Sequence, residues 1–459
     1  MIPHDLADPF GPTRRSFLRE LGGSVGLLGL TSYLHAEAPA ATPATAGTPH
    51  FKARAKRVIF LFMAGGPSHL DLFDPKPTLE KFAGKRPGAT ELRTERVTGG
   101  VLPSPFAFKP GGKSGLPVSD LLPGVRECAD ELCVLRGVYA SNPNHSPAAN
   151  FLASGRIDAS HPGIGSWVSY GLGSQNAALP GFVSLGGGFG QAGFERSGYL
   201  PGQFQATRVA TAETDPEKMI RHLKNPSIAP EDQKRQLDAL QSYNRSFAAS
   251  NGNDPQLEAR VKAMETAFRM QTAAGEAFDI RRETQTVRES YGTGEFARGC
   301  LLARRLVERG VRFVQVSLGG WDHHANIGAE LKKKCAEIDR PIAALLKDLR
   351  QRGLLDDTLV VWGGEFGRTP VSENGDGRDH NHYGFTMWMA GGAVKAGTVY
   401  GATDEFGFKA VDGRVSVHDL HATVLHLLGL DHEKLTYRYS GRDFRLTDVH
   451  GRVVKEILA

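Results

Sequence analysis

The sequence predicts an α/β fold in which helices flank a central, mostly parallel sheet. The first observation is a series of short apolar runs, most of them stopped by glycine, which is the pattern of buried strands. The runs are Arg57–Met63, Leu132–Tyr139, Gly181–Leu185, Val311–Leu318, Thr358–Trp362 and Phe385–Ala390. The second is an amphipathic helical stripe, Leu331 to Leu349, which leads from one run directly into the next. Strand, helix and strand with short connections predict a right-handed parallel crossover.

The N-terminal 38 residues predict an export signal. Arg14 and Arg15 precede a mildly apolar segment, Leu21–Leu34, and a small-residue cleavage site at Ala36–Ala38. This order is typical of a secretory signal, and the paired arginines resemble the twin-arginine type. The segment is shorter and less apolar than the roughly 20 residues that span a bilayer, so we expect no stable membrane anchor. We expect the twin-arginine translocase to be a partner during export and the mature protein to be periplasmic or extracellular.

The remaining chain is interpreted as a linker, residues 39–55, followed by one α/β domain, residues 56–459. The linker is rich in Ala, Thr and Pro. At about residues 213–309 the pattern becomes helical, and two apolar stripes with spacings of three and four predict amphipathic helices that pack on the sheet. These stripes are Leu257, Val261, Met264 and Phe268, and Phe296, Cys300, Ala303 and Val307. The last pattern, Ser416–Leu430, predicts a helix closed by Gly429.

Composition narrows the function classes. Of 459 residues, 40% are hydrophobic and 23% are charged, which is ordinary for a globular protein. The net charge of +5 comes with no basic stripe interleaved with aromatic residues, so nothing indicates nucleic-acid binding. Four cysteines are too few for a dense disulfide framework. Cys300 and Cys335 are predicted to be buried on apolar helix faces, and the sequence leaves open whether Cys128 and Cys133 form a disulfide.

Polar side chains follow four of the predicted strands. Because the carboxyl ends of parallel strands meet at one edge of a sheet, we expect these side chains to lie together. Taken singly, each is more typical of a cap or a loop, and it is the shared edge that favours a metal site. Imidazoles and carboxylates suit zinc, manganese or iron, and carboxylates also suit magnesium or calcium. The candidates are His69 and Asp71; Ser141 and His145; Asp322 and His324; and Glu365, Asp379, His380 and His382.

Several segments also resemble a known family. They are Gly65–Pro77, Asn142–Arg156, Gly319–His324, Trp362–Pro370, Asp379–Gly384 and the terminal HDLHATVLHLLGL. Over nearly the whole mature chain they are similar to the exported bacterial family DUF1501, a domain of unknown function. More widely, their order and context resemble the alkaline phosphatase and sulfatase superfamily. The resemblance implies an alkaline phosphatase-like fold and a metal-dependent hydrolase.

The wider resemblance implies roles for individual residues. Asp322 and His324 look like the acid and histidine of the first metal site, which His382 would complete. The segment Ser141–His145 is similar to the Thr-Phe-Pro-Asn-His segment of nucleotide pyrophosphatases, which makes Ser141 the candidate nucleophile. Glu365 stands where the superfamily usually carries ligands of a second metal.

The remaining catalytic candidates are His145, in the same segment as Ser141, and Arg368, which is expected to hold a substrate oxyanion. Two departures from the superfamily leave the number of metals open. Met63–Gly65 occupies the place of a metal-binding aspartate, so Asp71 or His69 would have to substitute, and Glu365–Phe366 replaces an Asp-His pair. No Cys-x-Pro-x-Arg motif is present, which disfavours a formylglycine sulfatase.

The leading hypothesis is an exported hydrolase of phosphate or sulfate esters, in small molecules or polymers. It would use Ser141 at a one- or two-metal site, with zinc as the expected ion. The alternative is a non-catalytic binding or assembly protein that retains the fold with a degenerate metal site.

Overall fold

The computed structural model describes residues 47–86, 93–187, 191–221, 223–224, 227–252 and 254–459. The predicted export signal and the first eight residues of the predicted linker, 39–46, lie outside these residues. The described residues from 47 to 437 and from 444 to 459 belong to one compact unit, which contains the central sheet. The described part of the other unit is residues 438–443, where Arg438 forms an ion pair with Asp443. Within the described residues, no helix combines the length and apolar character needed to cross a membrane.

The strands are numbered in chain order. They are β1 (Arg57–Met63), β2 (Phe108–Gly111), β3 (Leu116–Ser119), β4 (Leu132–Tyr139), β5 (Phe182–Gly187), β6 (Thr207–Val209), β7 (Phe313–Leu318), β8 (Thr358–Gly363), β9 (Gly367–Glu373), β10 (Gly377–Asn381), β11 (Phe385–Ala390), β12 (Thr398–Tyr400), β13 (Ala402–Thr403), β14 (Ala410–Asp412), β15 (Val415–Ser416), β16 (Tyr437–Tyr439) and β17 (Arg442–Phe444).

The helices are numbered in the same way. They are α1 (His69–Leu72), α2 (Thr78–Lys81), α3 (Pro123–Glu127), α4 (His145–Ser154), α5 (Ile164–Leu172), α6 (Gln191–Glu195), α7 (Pro216–Met219), α8 (Pro230–Asn251), α9 (Pro255–Ala277), α10 (Gln285–Tyr291), α11 (Glu295–Glu308), α12 (Ile327–Gln351) and α13 (Val417–Leu427).

The central sheet has nine strands in the order β12-β4-β11-β8-β1-β7-β5-β6, with β15 beside β4. Strand β1 pairs in parallel with both β7 and β8, and β11 runs antiparallel to β8 and to β4. Eight of the nine strands therefore point the same way, which confirms the predicted mostly parallel sheet. As a consequence, the ends of β1, β4, β7 and β8 share one edge with the start of β11.

Helices cover both faces of the sheet. Alternate residues of β1 belong to different hydrophobic clusters, with Ile59 and Leu61 on one face and Val58 and Phe60 on the other. The first cluster includes residues of α11 and α12, and the second includes residues of α5 and α13. Because both faces are buried, the strands are nearly continuous apolar runs. The structure confirms the predicted helices on both sides of the sheet.

The two helical stripes of the 213–309 region differ in burial. The stripe of α11 is buried, as predicted. The prediction of a core position was wrong for the stripe of α9, where Met264 is 50% exposed. The buried residues of that helix are instead Met270, Ala274 and Ala277, because only its C-terminal part reaches the core that contains α11.

The end of the predicted linker is bonded to the domain, and the four cysteines form no disulfide. The last residues of the predicted linker are bonded to the domain, since the backbone N–H of Arg54 donates to Leu427 at 2.8 Å. Helix α13 begins with a capping box formed by Ser416 and Asp419. All four cysteines are buried free thiols, so Cys128 and Cys133 form no disulfide in this structure.

A hairpin lies between β8 and β11. The sequence pattern predicts no strand in this stretch, but β9 and β10 pair there as an antiparallel hairpin. The apolar alternation of an ordinary strand is absent because most of the buried side chains of this hairpin are charged or polar, among them Arg368, Arg378 and Asp379. The predicted site residues Arg368, Asp379 and His380 therefore lie on strands.

Candidate metal centre

Side chains from three distant segments meet at the edge where the parallel strands end. Asp322, just after β7, is at the centre. Its Oδ2 lies 3.2 Å from Nε2 of His145, the first residue of α4. Its Oδ1 lies 2.8 Å from Nε2 of His324 and 3.1 Å from Nε2 of His380 on β10. Potential ligand atoms of all four residues lie within 4.8 Å of one another.

Glycine makes this close approach sterically feasible. Gly65, in the turn after β1, has a φ of +118°. A Cβ atom at Gly65 would lie 2.7 Å from the backbone nitrogen of Asp322. A Cβ atom at Gly377, at the start of β10, would lie 2.0 Å from the carbonyl carbon of His324. The turn after β1 and the β9–β10 hairpin therefore both pack against the segment that carries Asp322 and His324.

A separate glutamate holds the other ring nitrogen of each histidine. Glu365 Oε1 lies 2.6 Å from Nδ1 of His145. Glu373 Oε2 lies 2.5 Å from Nδ1 of His324. The third imidazole, His380, has its Nδ1 3.1 Å from Oε2 of Glu95. A carboxylate that accepts the Nδ1 proton leaves the Nε2 lone pair of each ring directed at the centre, as in the carboxylate–histidine–metal arrangement.

The electrostatics match this geometry. Burial lowers the pKa of His145, but hydrogen bonds with Asp322 and Glu365 outweigh it and raise that pKa to about 9. Burial alone would raise the pKa of Asp322, but the hydrogen bonds of the three imidazoles and the charge of Arg368 hold it well below its usual range. Without an ion, the centre therefore retains protons on imidazole that a cation would have to displace.

The spacing of the four central residues is close to the one that a tetrahedral ion requires. With metal–ligand distances of about 2.0–2.2 Å, ligand atoms of a tetrahedral zinc site lie about 3.3–3.6 Å apart. The 2.8–3.2 Å separations between Asp322 oxygens and imidazole nitrogens need only a small expansion to reach that value. The donor set, three neutral imidazoles and one carboxylate, also suits zinc.

Glu365 lies behind His145, and none of the candidate ligand groups within the described residues includes it. Its carboxylate is fully buried and also accepts the backbone N–H of Gly65 at 2.9 Å. It thus fixes both a histidine and the turn after β1. The sequence suggested Glu365 as a metal ligand. In the structure it is instead hydrogen-bonded to a candidate ligand, His145, on the side away from the centre.

Arg368 is also fully buried, and its donors are engaged within the protein. Its Nε donates to the carbonyl of Gly66 at 2.9 Å, and its Nη1 donates to that of Arg378 at 3.1 Å. Its Nη2 donates to Asp322 Oδ1 at 2.6 Å and to the carbonyl of Gly65. This guanidinium orients Asp322, and its 0% exposure separates it from a substrate in solution.

Asp379 is placed beside the centre. Its oxygens belong to two further groups of potential ligands, one with Glu95 and His380 and one with His324 and Glu373. Its Oδ2 accepts the backbone N–H of Arg96 at 2.8 Å.

The structure does not bring His69 and Asp71 into a candidate ligand group within the described residues. Asp71 is fully buried and forms a two-point ion pair with Arg378, with nitrogen–oxygen distances of 2.8 and 3.1 Å. Nε2 of His69 donates to the carbonyl of Gly407 at 2.8 Å, and burial lowers the pKa of this histidine. Asp71 thus fixes strand β10 through Arg378, and His69 fixes the turn at Gly407.

His382 and Ser141 lie near the same edge but outside those groups. The ring of His382 packs on Tyr383 with a centroid distance of 4.0 Å, and burial lowers its pKa to about 4. Ser141 is exposed in the segment between β4 and α4.

Two residues of the centre, Glu95 and Glu373, were not predicted from the sequence. Glu95 lies in a stretch without periodicity, so no pattern marks it. Glu373 precedes Asn374-Gly375, a dipeptide that favours a two-residue hairpin turn. That signal would have predicted the hairpin and placed Glu373 at its tip.

One of three comparisons with known proteins identifies the family. No curated protein matches the chain. Among solved structures, a PsFucS1 sulfatase from Pseudoalteromonas sp. is 14% identical, with 88% of this chain and 72% of that chain covered and a TM-score of 0.39. A phosphonate monoester hydrolase of Agrobacterium radiobacter is 13% identical, with 82% and 74% covered and a TM-score of 0.36.

A third structure, a protein in the alkaline phosphatase superfamily from Vibrio parahaemolyticus, is 10% identical, with 90% and 77% covered and a TM-score of 0.32. Values this low establish no shared activity. The sequence model described as "Protein of unknown function (DUF1501)" matches residues 55–458. Because that match covers most of the chain, the protein belongs to the DUF1501 family.

Proposed function

We propose that this protein is an exported, divalent-metal-dependent hydrolase of phosphate or sulfate esters. One observation carries the proposal. The Nε2 atoms of His145, His324 and His380 converge on Asp322. At the same time, each Nδ1 is bonded to its own glutamate. Three imidazoles oriented in this way around one carboxylate are typical of metal ligands.

A divalent ion at this position would act as a Lewis acid on an ester oxygen. The protein's own residues prepare the site for it. The Asp322 side chain is 42% exposed, so the centre is open to solvent on that side. On another side Phe366 packs against His145 and His380, with ring centroids 4.8 and 4.5 Å apart, and keeps water from these imidazoles. Arg368 positions Asp322 through its 2.6 Å hydrogen bond.

Ser141 is the proposed nucleophile. Its exposure and its position four residues before His145 support this role, as does its resemblance to the threonine of nucleotide pyrophosphatases. A serine hydroxyl is a weak nucleophile at its ordinary pKa and needs activation by a base or a cation. In this proposal the hydroxyl attacks the phosphorus or sulfur atom, the alcohol leaves, and water then releases the anion from Ser141.

The test combines metal content with turnover. Purified protein is analysed for bound metal and assayed with p-nitrophenyl phosphate, bis(p-nitrophenyl) phosphate and p-nitrophenyl sulfate. We expect about one zinc ion per chain and turnover of at least one ester. Asp322→Asn should lose metal and activity together, whereas Asp412→Asn, an exposed aspartate on β14, should retain both. Turnover in Ser141→Ala should fall by about 10³-fold or more with the metal retained.

Each outcome distinguishes among the hypotheses. Bound metal without turnover of any of the three esters would favour the non-catalytic binding protein. Unchanged turnover in Ser141→Ala would remove the serine nucleophile and leave the hydrolase. Export is tested separately by replacing Arg14 and Arg15 with lysine in the full chain, which should retain the protein in the cytoplasm.

A further inference from the structure

The loop of residues 93–98 reaches the metal centre from outside the sheet. Two of the three glutamates behind the histidines, Glu365 and Glu373, are 0% and 4% exposed and follow or lie on strands. The third, Glu95, comes from this loop, and its side chain is 26% exposed. Of the three glutamates, Glu95, the partner of His380, is therefore the one that the core holds least firmly.

A second residue of the loop reinforces the contact. The backbone N–H of Arg96 donates to Asp379 at 2.8 Å, and its guanidinium donates to Glu373 at 3.2 Å. Glu373 in turn holds Nδ1 of His324. Two adjacent loop residues thus act on two of the three imidazoles, His380 directly and His324 through one carboxylate.

The loop is anchored at its C-terminal end. The backbone N–H of Gly99 donates to Ser372 at 2.7 Å, and that of Ser372 donates to Gly100 at 2.8 Å. These bonds add the chain after the loop to strand β9. Thr98 is also buried and accepts a hydrogen bond from Arg86 at 2.8 Å. Val97 is 95% exposed, so the loop reaches the centre itself through Glu95 and Arg96.

Glu95 and Asp379 also belong to a group that could itself hold an ion, so the two roles must be separated. The hydrogen-bond pattern favours positioning over ligation. The carboxylates of Asp379 and Glu373 each accept a hydrogen bond from Arg96. A cation bound between these carboxylates would therefore lie beside the positive charge of Arg96. Glu95 meanwhile faces the Nδ1 of an imidazole whose Nε2 already points at Asp322.

We propose that Glu95 and Arg96 are positioning residues that couple the 93–98 loop to the binding of a divalent ion. Glu95 sets the tautomer and ring orientation of His380, and Arg96 holds Glu373 against His324. Bound ion and docked loop then stabilise each other to the same extent, because coupling between two binding events is reciprocal. The inference rests on the proposed function only in that an ion binds at the centre.

The first measurement is the affinity for Zn²⁺ alone, obtained by competition with a chromophoric chelator. Loss of a carboxylate behind a histidine ligand typically weakens metal binding 10–100-fold, and we expect this range for Glu95→Ala. Glu95→Gln retains an oxygen that accepts the Nδ1 proton and should recover part of the affinity. Val97→Ala, in the same loop, should bind Zn²⁺ as the wild type does. The absorption spectrum of bound Co²⁺ should change in Glu95→Ala and not in Val97→Ala.

The second measurement is cleavage of the loop by trypsin after Arg93 or Arg96, followed by mass spectrometry. Zn²⁺ should slow cleavage of the wild type and of Val97→Ala, and should protect Glu95→Ala far less. Circular dichroism of each variant without metal verifies the fold. Should Glu95→Ala not fold, Glu95→Gln and Arg96→Ala carry the same comparison, with Arg96→Ala expected to lose several-fold in affinity.

The outcomes separate this inference from the proposed function. Wild-type affinity and an unchanged Co²⁺ spectrum in Glu95→Ala would overturn the positioning role and leave the metal centre intact. A drop from two bound ions to one in Glu95→Ala would make Glu95 a ligand and also overturn it. A wild type that binds neither Zn²⁺ nor Co²⁺ would overturn both this inference and the metal dependence of the proposed function.

Discussion

His145 lies between two carboxylates, Asp322 on its Nε2 side and Glu365 on its Nδ1 side. The pair of acids raises its pKa to about 9 despite partial burial. The ordinary pKa of histidine is about 6.5. In the metal-free protein this proton stabilises the folded state fully below about pH 6.5, and the stabilisation is lost as the pH rises through 9.

Zinc binding should therefore depend on pH. At pH 7 an ion must displace the proton of His145, so the affinity should rise by about tenfold per pH unit for each proton displaced, up to about pH 9. Chelator competition at pH 6, 7, 8 and 9 measures this dependence, and a pH indicator measures the released proton. The fold of the metal-free protein is verified at each pH.

Glu365→Gln provides the matched comparison. It removes the charge of one of the two acids, so the His145 pKa should fall and the pH dependence should shift to lower pH. A zinc affinity that is independent of pH between 6 and 9 would contradict the assignment of His145 as a ligand that is protonated in the metal-free protein.

At the scale of single elements, the β9–β10 hairpin decides the geometry of the centre. It carries His380, and its β9 strand carries Arg368 and Glu373. The backbone N–H of Arg378 donates to the carbonyl of His323 at 3.1 Å, which fixes the hairpin against the segment after β7. This contact is possible because Gly377 has no side chain.

Gly377→Ala should disrupt the centre without unfolding the domain. The added Cβ would lie 2.0 Å from the carbonyl carbon and oxygen of His324, so the hairpin and that segment must separate. We expect zinc affinity to fall by at least about tenfold, since ligand placement depends on this contact. Gly202→Ala is the control, because nothing lies within 4 Å of a Cβ there. Equal zinc affinity of the two variants would show that His324 does not need this contact.

At the scale of the whole molecule, topology brings the centre together. Strands β4, β7 and β8 are far apart in sequence, but parallel pairing aligns their ends at one edge. The β9–β10 hairpin connects the end of β8 to the start of the antiparallel β11, and both of these lie at that edge. Helix α4 then projects from β4 with its first residue, His145, toward the centre, while the rest of the helix packs on α13 through a buried histidine, His421.

His421 predicts a loss of global stability in acid. Its Nε2 donates to the carbonyl of Leu152 at 2.8 Å, and burial lowers its pKa to about 3. A histidine that is neutral when folded takes up a proton on unfolding, so stability should fall as the pH drops from about 6.5 toward 3, with a slope of up to about 1.4 kcal/mol per pH unit.

The urea midpoint at pH 7 and at pH 4.5 measures this effect. His421→Gln keeps a donor for Leu152 and does not titrate, so it should start less stable but lose less between the two pH values. His450→Gln, at an exposed histidine, should lose as much as the wild type. An equal loss in His421→Gln would assign the acid sensitivity to other groups.

The apolar and polar pattern of the sequence was enough to predict the sheet and the edge that carries the site. Apolar runs such as Arg57–Met63 and Phe385–Ala390 match strands residue for residue, because a strand buried on both faces must be apolar throughout. Polar side chains directly after such runs could then be assigned to one edge. Asp322, His324, His145 and His380 were among the residues predicted in this way.

The roles of the individual residues depend on contacts that form only when the chain folds. Glu95 and Glu373 are hydrogen-bonded to histidines of the centre. The donors of Arg368 are used in hydrogen bonds inside the protein, and Asp71 forms an ion pair with Arg378. The physical reason is that a buried charge must find a partner, and that partner lies tens or hundreds of residues away in the chain. Local pattern records whether a residue is apolar or polar, but the distance between two side chains exists only once the chain has folded.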